Sequence, residues 1–130
     1  MTKEIIRVGK ISEAVEKAGV PLSAAVKANG FVFVSGTPPI DLETGQLVRS
    51  DIVVQTEACM KGLEAALEAA GSSLEKVVKV TIYASNSAYY RTINEVYARY
   101  FKLEPPARTF VTVGSWPMEF DIEIECTALA

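Results

Sequence analysis

Phe120-Asp121-Ile122-Glu123-Ile124-Glu125-Cys126 alternates apolar and polar side chains without a break. A period of two puts Phe120, Ile122, Ile124 and Cys126 on one face of a strand and Asp121, Glu123, Glu125 and Thr127 on the other. The stretch before it, Pro105-Pro106-Ala107-Arg108-Thr109-Phe110-Val111, reads as a second strand, entered through a proline pair that fixes the backbone. There Arg108, Phe110 and Thr112 share a face, and Thr109, Val111 and Val113 share the opposite one. The expected final strands span about 107–113 and 119–129.

Outward from these strands, Val77 to Tyr83 is a β-branched run and reads as another strand. Ala25 to Ser35 is a hairpin around Asn29-Gly30, a two-residue turn signal between apolar arms. Gly36-Thr37-Pro38-Pro39 is expected to end its second arm, and Ile5 to Val8 forms a short opening strand. Asp51 to Ala70 is a helix: Ile52, Cys59, Met60, Leu63, Ala66, Leu67 and Ala70 recur at helical spacing, and Gly71 stops it. Ser72 and Glu75 match a capping box for a short helical turn. Asn86-Ser87 caps a further helix, Ala88 to Phe101, with a stripe of Ile93, Val96, Tyr97, Tyr100 and Phe101. Ser12 to Val20 is too weakly patterned to assign. The order β-β-β-α-β-α-β-β predicts an α+β fold in a single domain, 1–130, with two helices on one sheet face. The other face is then free for a partner subunit.

Composition narrows the chemistry. The chain has 130 residues, 49% of them hydrophobic, a net charge of −3 and no histidine. That apolar share is high for a small monomer and suggests a subunit interface. With no cluster of Lys and Arg, binding of nucleic acid through a basic face is not expected. Cys59 and Cys126 have no metal-ligand spacing, so neither a metal nor a cofactor is expected. The first residues lack the apolar core of a signal peptide, and no run approaches a membrane span. The expectation is a cytoplasmic protein with reduced thiols and no membrane partner.

Proton chemistry near neutral pH is left to carboxylates, lysine, tyrosine or cysteine. Arg108 either grips an anion with its planar fork, beside Phe110, or reaches solvent and pairs with a neighbouring acid. The acids of the last strand are either a solvated face or include one carboxylate that orients water. Alternation does not choose between Glu123 and Glu125. Gly36 permits a close approach to the backbone. Asn94, a poor helix former in mid-helix, hints at a role for its amide. Tyr89, Tyr90, Tyr97 and Tyr100 read as core or interface.

Ser35-Gly36, Pro39, Asp41, Thr44-Gly45, Gln55-Thr56, Leu67 to Leu74, Asn94-Glu95-Val96-Tyr97 and Phe101 resemble the RidA/YjgF family. Pro106-Ala107-Arg108 followed by Ile122-Glu123-Ile124-Glu125 carries the resemblance furthest, and it covers about residues 21–130. It implies a chorismate-mutase-like α+β fold and a homotrimer with clefts between subunits. It also implies cofactor-free hydrolysis of reactive 2-imino or enamine acids to 2-keto acids and ammonia. Arg108 then holds the small-molecule carboxylate, Glu123 orients the attacking water, Gly36 lines the pocket, and Asn94 matches the family's helix asparagine. Three positions depart from the pattern: Leu22 replaces a tyrosine, Phe110 a cysteine and Thr37 a glutamine, which makes the pocket more apolar. An aminomuconate-type enamine deaminase and a non-catalytic module for small carboxylates remain as alternatives, ahead of ribonuclease or holdase roles. The catalytic reading expects Arg108 and Glu123, on adjacent C-terminal strands, to converge across a cavity that association closes.

Overall fold

The computed structural model describes residues 2–130. Its elements run β1 (Glu4–Ile6), α1 (Gly9–Ala18), β2 (Ala25–Ala28), β3 (Phe31–Thr37), α2 (Ile52–Ala69), β4 (Val77–Ala84), α3 (Tyr90–Tyr97), β5 (Ala107–Thr112) and β6 (Ile122–Leu129). The six strands form one sheet in the order β1-β2-β3-β6-β4-β5. Only β4 and β5 are parallel, joined by the crossover through α3; every other pair is antiparallel. This is the expected α+β arrangement, with one helix more than the sequence pattern showed.

The hairpin forms as read: Asn29 and Gly30 both take positive φ, 51° and 82°, as a two-residue turn between right-twisted strands requires. The helix α2 starts where the sequence puts it, with the Asp51 carboxylate accepting from Val54 N at 2.9 Å. Its buried stripe of Cys59, Met60, Leu63 and Leu67 faces Val32, Val80, Ile82, Ile122 and Ile124, all fully buried. The core therefore lies between α2 and the inward face of β3, β6 and β4, with α3 packed beside α2.

Four local expectations are corrected. The unassigned stretch contains α1: Ile11, Ala14, Val15 and Ala18 do recur at helical spacing, but two of the four are alanines and Ile11 alone of them is buried, so the stripe is short of bulky side chains. The last strand begins at Ile122 rather than near 119. Ser72 caps nothing, because its hydroxyl donates to the Leu129 carbonyl at 2.6 Å and ties the end of β6 to the following 3-10 turn, Leu74–Lys76. The helix predicted to Phe101 stops at Tyr97, and the chain tightens into i to i+3 bonds at Arg99 and Tyr100. Glu57 of α2 accepts from Arg99 and from the Tyr100 hydroxyl, which holds that turn against the neighbouring helix.

Candidate active site

Arg108 sits on the edge strand β5, in register with Val80, on the helix-covered face. Its guanidinium carbon lies 5.0 Å from the ring centre of Tyr97 and 5.6 Å from that of Tyr90. Nη2 donates to the Tyr90 hydroxyl at 3.4 Å. Phe110, in register with Ile82, meets Tyr90 edge-on at 4.9 Å. The aromatic rings hold the guanidinium by cation–π attraction and leave most of its donors unused. Among the described residues no carboxylate pairs with it. Arg108 is half-buried and has no acid partner among the described residues, so the ion pair with a neighbouring acid does not form. Asn94 lies one turn before Tyr97 on α3; Asn94 Oδ1 and the Tyr97 hydroxyl are both buried without a hydrogen-bond partner. Burial pushes the Tyr97 phenol up to about 12, against the opposing pull of Arg108.

Glu123 occupies the other face. Its register partner on β4 is Tyr83, and Glu125 pairs with Thr81. Burial first, and the neighbouring Glu125 second, raise the Glu123 carboxyl above its ordinary value. No hydrogen bond from the described residues reaches its carboxylate, whereas Glu125 accepts from the Tyr83 hydroxyl. Gly36 lies within β3 rather than at its end, in a bulge where Ser35 and Gly36 together oppose Glu125. A Cβ on Gly36 would stand 2.3 Å from Glu123 Oε1, so the carboxylate rests directly on the glycine backbone. Ser35 anchors the bulge by donating from Oγ to the Ser23 carbonyl at 2.6 Å.

One chain does not bring Arg108 to Glu123. The strand β4 lies between β5 and β6, which separates their backbones by roughly 10 Å. Register then sends the two side chains to opposite faces, Arg108 with Val80 and Glu123 with Tyr83. Leu22 is at the far edge, beside β1 and α1, near Ile5, Ile6 and Val15. The expectation of adjacent strands was therefore incorrect: the chain leaves β5 through a long loop and returns to the middle of the sheet. The flanking tyrosines were visible in the sequence only as an i, i+7 pair, Tyr90 and Tyr97, on one helical face. The Tyr83–Glu125 bond had no signal, because it depends on the register between β4 and β6.

This single mixed sheet, with helices on one face and a carboxylate row on the other, defines a class of small α+β proteins. The chain matches the family described as Endoribonuclease L-PSP over residues 12–130. It is 42% identical over 128 residues to a RutC family protein of Pyrococcus abyssi, covering 98% of each chain. It is 39% identical over 126 residues to Reactive Intermediate Deaminase A, chloroplastic, of Arabidopsis thaliana, covering 97% of this chain and 65% of that one. A crystal structure of a conserved Rid family protein from Yersinia pestis superposes with a TM-score of 0.91 at 36% identity, over 99% of this chain and 100% of that one. The chain belongs to the RidA/YjgF family. Among the described residues no helix is long and apolar enough to cross a membrane.

Proposed function

We propose that this protein hydrolyses reactive 2-imino and enamine acids to 2-keto acids and ammonia, without a cofactor, as a homotrimer whose clefts lie between chains. The observation that carries the reading is Arg108: a guanidinium fork braced by Tyr90 and Tyr97, half-buried, with no acid partner of its own. Such a fork takes a substrate carboxylate in two parallel hydrogen bonds. The unpartnered Asn94 Oδ1, one helical turn before Tyr97, is a candidate acceptor for the substrate nitrogen.

Assembly follows from the same geometry. Since Arg108 and Glu123 leave opposite faces of the sheet, a shared cleft takes one from each of two chains. The open face is suited to a partner: Ile5, Phe31, Phe33, Val111 and Leu129 are all exposed there, around the carboxylate row. The free, buried thiols of Cys59 and Cys126 suit a reducing, cytoplasmic setting.

Chemically, the imine carbon is already electrophilic. Water adds its oxygen to that carbon while Glu123 accepts a water proton. The nitrogen takes up a proton, Glu123 returning the one it holds. The proton of the added hydroxyl then passes to the nitrogen by way of Glu123 as the C–N bond breaks; ammonia leaves with that electron pair, and the oxygen is left as the keto group. One imino acid and one water become one keto acid and one ammonia. A carboxyl raised above its ordinary value is matched to this exchange of protons.

Imines generated in situ by an amino-acid oxidase, with keto-acid release followed across small, branched and aromatic substrates, test the reading. Arg108→Lys is expected to lose about 10- to 100-fold in kcat/KM, because one ammonium does not reproduce the fork. Near-wild-type turnover by this variant, folded and assembled, would sink the proposal. Phe110 edge-on to Tyr90 walls the guanidinium with apolar surface and favours a second reading, a larger aminomuconate-type enamine acid as substrate. The same assay with both substrate types ranks the two. Saturable keto-acid binding with no ammonia release would instead indicate a binding module.

A further inference from the structure

The open face holds one hydrogen bond that the mechanism above does not use. Tyr83 and Glu123 are register partners on β4 and β6, yet the Tyr83 hydroxyl donates to Glu125, two residues along. Glu123, by contrast, lies on Gly36 with no donor from the described residues. Two acids on the same face of one strand are thus treated differently by one phenol.

We propose that Tyr83 is a positioning residue: by donating to Glu125 it holds that carboxylate in place beside Glu123, and so leaves Glu123, which has no donor of its own, as the acid that exchanges protons. This rests on the reading of Glu123 as the general base. The bond to Glu125, with burial adding to it, holds the Tyr83 phenol above its ordinary value, so it stays a donor at neutral pH. Glu125 in turn is the only charged neighbour that contributes to raising Glu123, after burial.

No other group on the packed elements takes over this role. Just before β6, Asp121 is engaged by Gln55 Nε2 and Ser85 Oγ. On β4, the Lys79 ammonium donates to the Val80 carbonyl and to Thr109 Oγ1. On β3, Ser35 and Gly36 carry no charge, and on β5 neither Thr109 nor Val111 does. Behind the sheet, the buried Cys59 thiol is pushed well up by burial and stays neutral. Tyr83 and Glu125 are left to set the surroundings of the Glu123 carboxyl.

The test is a 13C NMR titration of the glutamate side-chain carboxyls, with the acid limb of kcat/KM measured alongside, in the parent, Tyr83→Phe, Glu125→Gln and the double variant. Removing the like charge about 7 Å away along the strand moves the Glu123 midpoint to lower pH in Glu125→Gln, by roughly half a unit or more. Tyr83→Phe moves it the same way by less, since the freed Glu125 side chain is no longer held beside Glu123. The double variant moves no further than Glu125→Gln, because Tyr83 acts only through that residue. An unchanged midpoint in Tyr83→Phe, or shifts that add in the double variant, would overturn the proposal. So would a uniform loss of rate with an unmoved limb, the mark of a purely structural tyrosine. The NMR midpoint is read without substrate, so its outcome is separate from failure of the deaminase reading, which shows as no keto acid released by the parent.

Discussion

Replacing Gly36 by alanine isolates the placement of Glu123 from everything else. Gly36 has no positive φ, so an added methyl introduces no backbone strain. The new Cβ would stand 2.3 Å from Glu123 Oε1, 2.8 Å from Cδ and 3.3 Å from Cγ. Ordinary contact between such atoms needs roughly 3.5 Å, so the carboxylate retreats by about 1 Å. A displacement of that size in a reacting group costs about 10²-fold in rate, near 2.7 kcal/mol of barrier. Stability responds differently: the clash is with the end of a flexible side chain, and alanine loses less backbone entropy on folding than glycine. Net stability is therefore expected to change by no more than about 1 kcal/mol. Oxidase-coupled keto-acid release gives kcat, urea unfolding gives stability, and sedimentation shows whether assembly is intact. A folded Gly36→Ala protein turning over within a few-fold of the parent would refute the idea that Glu123 works from this position. A stability loss above about 3 kcal/mol would show that Glu123 is packed rather than poised.

Two further outcomes are expected. The Glu123 carboxyl is raised above its ordinary 4.5, so the folded state binds its proton more readily than the unfolded chain does. Ionising it costs stability at neutral pH, and that cost fades as pH falls through the raised value; Glu123→Gln should unfold at higher urea than the parent at pH 7, with the gap closed by about pH 4. Gln55 is buried and donates Nε2 to the Ser50 carbonyl at 2.8 Å and to Asp121 Oδ2 at 3.1 Å, while its Oε1 accepts from Asp121 N at 2.8 Å. Gln55→Ala leaves these part-buried groups without their partners and should cost about 1–3 kcal/mol in urea unfolding; a loss under about 0.5 kcal/mol would show that solvent replaces them.

The chain's local chemistry was legible wherever a short-range rule applied. Alternation along 120–127 placed Ile122, Ile124 and Cys126 inward and Glu123 and Glu125 outward, and the burial of β6 follows it. The Asn29-Gly30 turn and the Asp51 cap are likewise local, decided by two or three neighbouring residues. The helix α1 escaped because its stripe of Ile11, Ala14, Val15 and Ala18 is short and half alanine, and its position depends on a core assembled elsewhere. Ser72 looked like a cap, but it bonds to Leu129, 57 positions along the chain.

By itself the sequence determined the strand faces, the helices α2 and α3, the family resemblance and the candidate arginine and glutamates of the site. Each of those is written in side-chain periodicity or in residue type. Only the tertiary structure decided that β4 comes between β5 and β6, that Arg108 and Glu123 leave the sheet on opposite sides, and that Tyr83 selects Glu125 over Glu123. Strand order and register arise from long-range pairing and core packing, which no local window of residues encodes.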